Sequence, residues 1–264
     1  MSETETQDPI NDKAMPLLDH LIELRRRLLW SGAAFLIAFL ICYYYSAWIY
    51  GFLARPLAQA LQGQPHTQLI FTQLYEAFFT YLKVAMFGAL FISFPVLATQ
   101  LWMFVAPGLY RSEKRAMLPF LIATPILFIM GAALAYFFVF PFAWRFFLSF
   151  QSPKGGGGLP IVAMPRVSEY LALVMKLILA FGVAFELPVG LSLLAKVGIL
   201  TSKQLKAYRR YAYVGMFVIA AVLAPPDVFT QTGLAVPLIL LYESSIIAAR
   251  MVEPKRDEAD ESED

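Results

Sequence analysis

The chain has 264 residues, 59% of them hydrophobic and only 15% charged, with a formal net charge of +2. A soluble domain carries about 45–50% apolar and about 25% charged residues; here the apolar excess lies in long runs, which point to a bilayer rather than a water-soluble core. A single cysteine, Cys42, excludes an intrachain disulfide, and the two histidines, His20 and His66, lie outside the long apolar runs.

In chain order, residues 1–15 carry Glu3, Glu5, Asp8 and Asp12, the wrong sign for the n-region of a signal peptide, and read as a disordered polar tail. In residues 16–28, Leu17, Leu21, Leu24 and Leu28 form one helical stripe, with Asp19, His20, Glu23, Arg26 and Arg27 opposite. The pattern predicts an amphipathic helix at the membrane interface that bends into the first span. Arg25-Arg26-Arg27 precedes an apolar run from Leu28 to Ile49, too long for a cleaved h-region, so this run is expected to be retained as a span.

A hydrocarbon core of ~30 Å needs about 20 apolar residues in a helix. Six runs meet or approach this length: about 28–49, 76–99, 117–140, 168–195, 211–224 and 232–249. The fifth, Tyr211 to Ala224, stops at Pro225-Pro226 and reaches roughly 21 Å at ~1.5 Å per residue, short for an unperturbed bilayer. The expected fold is therefore all-α, a polytopic membrane domain over residues 16–252, with a disordered acidic tail at 253–264. Fifteen Lys and Arg lie in segments 1–27, 100–116, 196–210 and 250–264, against four in the alternate loops, Arg55, Arg145, Lys154 and Arg166. The positive-inside rule then places both termini in the cytoplasm.

Few carboxylates lie in or near the spans, and such groups are costly there unless they have a use. Glu186 stands beside Pro188 in the fourth span, where the proline frees a backbone carbonyl and kinks the helix. It reads as the acid of a water-accessible concave face. Glu243 lies near the end of the sixth span. Glu76 with Lys83, and Glu169 with Lys176, are each seven apart and read as structural pairs. Asp227 follows Pro225-Pro226 as a cap for the sixth helix or as a functional acid. Glu23 has Arg26 and Arg27 at i+3 and i+4, and Glu113 follows Ser112 near a helix start. Gly155 to Gly158 reads as a flexible outer loop and not as a phosphate loop, since no Gly-Lys-Ser/Thr follows it and no strand precedes it.

Several motifs in order carry a family resemblance. They are His20-Leu21-Ile22-Glu23-Leu24-Arg25-Arg26-Arg27-Leu28, then Phe94-Pro95, Gln100-Leu101-Trp102-Met103-Phe104-Val105-Ala106-Pro107-Gly108-Leu109-Tyr110 and Glu113-Lys114-Arg115. Further along come Phe181-Gly182-Val183-Ala184-Phe185-Glu186-Leu187-Pro188-Val189 and Pro225-Pro226-Asp227-Val228-Phe229-Thr230-Gln231. Together they resemble the TatC family. The resemblance implies six helices in a concave cup with short fifth and sixth helices. It implies a receptor complex, expected to be homo-oligomeric, in a bacterial inner membrane with the single-span partners TatA and TatB. Its task would be export of folded proteins bearing Arg-Arg signal peptides, driven by the proton-motive force. It further implies that Glu23 and Glu113 meet the signal's arginines, with Arg25 and Phe104 in the same site, and that Glu186 lines the concave face. Two carboxylates facing two guanidiniums suit this task, because the planar arginine fork pairs bidentately where lysine cannot. Gln231, Thr230 and Asp227 are the candidates for holding a partner helix. No cofactor, metal or nucleic-acid partner is expected. An enzyme is not expected either, since a serine protease needs a histidine in a span and a metalloprotease needs His-Glu-x-x-His. A solute transporter using Glu186 and Glu243 is the competing class.

Overall fold

The computed structural model describes residues 17–62, 69–105, 118–152, 158–159, 161–223 and 228–253. The helices are α1 (Leu17–Tyr44), α2 (Ser46–Ala60), α3 (Glu76–Val105), α4 (Leu118–Leu134), α5 (Phe140–Leu148), α6 (Val167–Ala184), α7 (Leu187–Lys196), α8 (Ser202–Ala207), α9 (Arg209–Leu223) and α10 (Val228–Val252). Five continuous stretches are long and apolar enough to cross a membrane: His20–Tyr44, Glu76–Phe104, Pro119–Leu148, Val167–Lys196 and Thr230–Val252. The sixth apolar helix, α9, has 15 residues and spans roughly 22 Å.

The amphipathic segment does not bend into the membrane. Leu17 to Tyr44 is one helix of 28 residues, about 42 Å long, because no Pro or Gly interrupts its first two turns and Leu, Glu and Arg are good helix formers. It exceeds the hydrocarbon thickness, so its Arg25–Arg27 end projects from the core. We call that side of the bundle the basic side. At the opposite side the first span ends at Tyr44 rather than near Ile49, and the chain turns at Tyr45 into α2, a separate helix whose residues 50–60 the sequence reading leaves as loop.

Two spans are interrupted where proline dictates. Pro141 cannot donate to the carbonyl four residues back, and the turn before it, Ala135–Val139, widens to a π-helix that joins α4 to α5. Pro188 breaks the fourth span at Phe185-Glu186, where the Glu186 N–H bonds Val183 at 3.0 Å in a tightened turn.

The core centres on α6, whose fully buried Leu171, Val174 and Phe181 belong to one apolar cluster with Leu53 of α2, Ala132 of α4, and Leu234 and Leu238 of α10. Small residues set the closest crossing, since apolar side chains gain nothing by leaving lipid and close van der Waals contact must hold the helices. A Cβ on Gly131 would lie 2.4 Å from the Phe181 carbonyl oxygen, and one on Gly182 would lie 2.6 Å from the Phe128 ring. By contrast, α1 leans along α3 and leaves Leu28, Leu36 and Leu40 bare to the bilayer.

On the side opposite the basic one, the loops are tied by polar contacts. Buried Glu76, at the start of α3, accepts from the Thr72 N–H at 2.9 Å and from the Ser168 hydroxyl at 2.5 Å. Arg166 donates to the Thr72 hydroxyl and pairs with Glu169 at 2.8 Å. The expected Glu76–Lys83 and Glu169–Lys176 pairs are thus replaced. The heptad spacing puts each pair on one face, but the loop before α6 brings hydroxyls and a guanidinium nearer than either lysine.

Candidate functional site

The basic end of α1 lies against the end of α3. Glu23 on α1 accepts from Arg27 one turn later at 2.9 Å, the ordinary i,i+4 geometry. The same guanidinium reaches across to α3, donating to the Gln100 side-chain oxygen at 3.2 Å and approaching the Met103 sulfur at 3.5 Å. Its Nε is buried without a partner among the described residues. The side chains keep only 13% and 22% exposure for Arg27 and Glu23, so the pair is half-sheltered and less screened than a surface ion pair. One turn before Glu23, His20 stacks on Phe104 with ring centroids 4.4 Å apart. Arg25 and Arg26 are exposed. Of the two local partners anticipated for Glu23, the structure selects Arg27, because that residue alone also has an acceptor waiting on α3.

The structure therefore brings Glu23 and Phe104 to one surface, with Arg25 on the open face of the same helix. Glu113 lies outside the described residues, as does Asp227. Gln100, Met103 and His20 belong to the same surface and were not singled out from sequence. The signal that could have found them is positional: α1 and α3 run antiparallel, so the start of one must meet the end of the other.

Glu186 sits at the α6–α7 break, with both carboxyl oxygens buried and without a hydrogen bond among the described residues. The Thr124 hydroxyl of α4 lies beside it and accepts from the Trp102 indole at 3.1 Å. A polar thread thus leads from the end of α3, two residues from Phe104, through α4 to the broken span.

Glu243 is not a bare carboxylate awaiting solute. Arg209 of α9 pairs with it at 2.5 Å, and the Tyr213 hydroxyl donates to it at 2.5 Å. At the opposite end of the same helix pair, Lys176 of α6 donates to the Val222 carbonyl at 2.7 Å, meeting the negative end of α9. Gln231 is half-buried and donates to the Phe217 carbonyl at 3.4 Å. Thr230 is buried at 6% exposure within the chain. One residue of helical rotation separates the two fates.

The comparisons with known proteins agree over nearly the whole chain. The TatC family profile, described as Sec-independent protein translocase protein, matches residues 19–237. A Sec-independent protein translocase protein TatC of Magnetococcus marinus is 51% identical over 253 residues, covering 96% of this chain and 90% of its own length. That of Rickettsia prowazekii is 47% identical over 238 residues, covering 90% and 94%. That of Escherichia coli K12 is 40% identical over 240 residues, covering 90% of each. A crystal structure described as the twin arginine translocase receptor TatC superposes with a TM-score of 0.75 at 40% identity, covering 88% of this chain and 99% of its own. A second, of the receptor in DDM, gives 0.76 at 40% identity over 87% and 99%. This all-α, multi-pass membrane chain belongs to the TatC family of Sec-independent protein translocases.

Proposed function

We propose that this chain recognises Arg-Arg signal peptides of folded precursor proteins on its basic side, with Glu23 as one of two receptor carboxylates and Glu113 as the other. The observation that carries this reading is that the Glu23 pocket already holds a guanidinium. Arg27 fills it with an ion pair to Glu23 and a hydrogen bond to Gln100, so the geometry suits an arginine fork rather than an ammonium. The His20–Phe104 stack beside it offers an aromatic wall for a second arginine or for the apolar residues that follow it. Arg25, exposed on the same end of α1 and without a carboxylate partner among the described residues, belongs to this signal-peptide surface.

The basic side is the cytoplasmic one, both termini are cytoplasmic, and the membrane is the bacterial inner membrane. The single-span subunits TatA and TatB dock along α9 and α10, meeting Gln231, and several copies of the chain assemble into the receptor complex. Translocation draws on the proton-motive force. The solute-transporter alternative loses one of its two carboxylates, since Glu243 is matched by Arg209.

The test is binding of an Arg-Arg signal peptide to purified protein in detergent, with photo-crosslinkers at 104 and 113. Glu23→Ala and Glu113→Ala should each weaken binding about tenfold or more, from ~1.5–3 kcal/mol for a charge-assisted hydrogen bond. Crosslinks to the peptide should form at both positions. Unchanged binding in the double variant, with intact protein levels, would refute the two-carboxylate receptor.

A further inference from the structure

On the bilayer-facing side, a groove of about 320 Å³ runs between the end of α1, α2, α3 and α4. Cys42, Gly88 and Ala132 form its floor, and Ile92, Ile129 and Phe137 edge its mouth. These last three are among the exposed large apolar residues, so the groove opens toward lipid. Its lining is almost wholly apolar, and such a hollow does not hold ordered water.

The two ends of the groove differ. Ile92 lies sixteen residues into α3, about 24 Å from the Glu76 end at ~1.5 Å per residue, past the middle of a ~30 Å hydrocarbon core. At the other end the Tyr136 hydroxyl donates to the Phe52 carbonyl at 2.8 Å, and Arg55 stands one turn further along α2. Arg55 is exposed, and no carboxylate pairs with it among the described residues. Ser46–Ala60 and 135–149 contain no Asp or Glu at all, while Arg145 of the packed α5 adds a second exposed cation.

We propose that this groove binds one acyl chain of an anionic phospholipid from the leaflet opposite the basic side, with the headgroup phosphate held by Arg55. The shape matches in direction and width. The cation lies at the interface end, the apolar floor leads toward the bilayer centre, and a helix about 10–12 Å across with its side chains is too wide to enter. A phosphate satisfies the arginine fork with two parallel hydrogen bonds, which a zwitterionic headgroup offers only against its own ammonium. The bound chain replaces a void that would otherwise leave Cys42, Gly88 and Ala132 without van der Waals partners.

The experiment places the full chain in nanodiscs of equal phosphatidylglycerol and phosphatidylcholine and counts retained lipids by native mass spectrometry after release. One phosphatidylglycerol per chain should be retained about fivefold over phosphatidylcholine, the ratio that corresponds to ~1 kcal/mol per basic residue at a membrane surface. Arg55→Gln should abolish the preference while a lipid is still retained. Ala133→Trp, which fills the groove, should abolish retention, and Ile129→Trp at the mouth should do the same if the first variant melts early. Equal retention of both lipids by the unmodified chain, or a preference that survives Arg55→Gln, would overturn the proposal. So would a photo-crosslinker at 129 that labels a protein and no lipid, since the groove would then be a protein-docking surface.

Discussion

Arg27 of α1 holds Glu23 at 2.9 Å while reaching Gln100 of α3 at 3.2 Å. The guanidinium of the chain itself therefore competes with an incoming arginine for the same carboxylate. An i,i+4 ion pair is worth only ~0.3–0.5 kcal/mol, so its loss should matter about twofold. We expect Arg27→Gln, which can still bond Gln100, to bind an Arg-Arg signal peptide about twofold more tightly and with a steeper loss of binding as salt is raised, because the unneutralised Glu23 attracts the cationic peptide more strongly. Titration by fluorescence anisotropy at two ionic strengths reads both. Weaker binding would show that Arg27 orients Glu23 rather than occupying its site.

The Glu76–Ser168 contact is a second long-range tie within the chain, joining the starts of α3 and α6. Ser168→Ala removes one donor and should lower the melting temperature in detergent by a few degrees. Glu76→Gln removes the charge that draws four donors together, the backbone N–H and hydroxyl of both Thr72 and Ser168, and should cost more. Proteolysis of the loop before α6 should speed up in the same order. A melting temperature unchanged in both variants would show that the tie is not structural.

Lys176 is expected to anchor the short helix. In hydrocarbon the terminal carbonyls of α9 find no water, and the Lys176 ammonium supplies the donor for Val222. Lys176→Met should destabilise the α9–α10 hairpin by ~0.6–2 kcal/mol. Hydrogen exchange over 215–223 should rise while that over α3 stays unchanged. Equal exchange in both regions would place the lysine outside the hairpin's support.

For the partner-docking surface, cysteines at 231 and 232 are compared with one at 126 on α4. Gln231 is half-buried, Thr232 and Ile126 are exposed, and Leu234 and Phe128 are too buried to serve as probes. Disulfide crosslinks to cysteines along a single-span partner helix should form at 231 and 232 and be absent at 126. Equal labelling of both faces would rule the site out.

Orientation is tested by topology reporters. Fusions after residue 264 and within 111–115 should read as cytoplasmic, and one within 153–160 as external. An external reading at residue 264 would overturn the assignment drawn from the fifteen-to-four Lys and Arg split.

The apolar spans were legible because a bilayer acts on runs of sequence, and each run had to supply its own backbone hydrogen bonds. Pro188 marked the break beside Glu186 and the Pro225-Pro226 pair marked the short fifth helix for the same local reason. The pairing of polar groups was not legible. Spacing along one helix proposed Glu76 with Lys83 and Glu169 with Lys176, whereas the folded chain gives Glu76 to Ser168, Glu169 to Arg166 and Lys176 to the Val222 carbonyl. Likewise Glu23 had two local candidates, and the choice of Arg27 came from Gln100, 73 residues away. What the sequence determined by itself was where the long apolar runs lie, in what order, and which side carries the positive charge, since each depends on composition within a run or a loop; the separate helix α2 was not legible. Which carboxylate meets which donor, that Thr230 turns inward while Gln231 does not, and that a groove opens between α1 and α4 were decided by how the helices cross. Crossing angles follow from close contacts such as Gly131 on the Phe181 carbonyl, which exist only once distant segments pack.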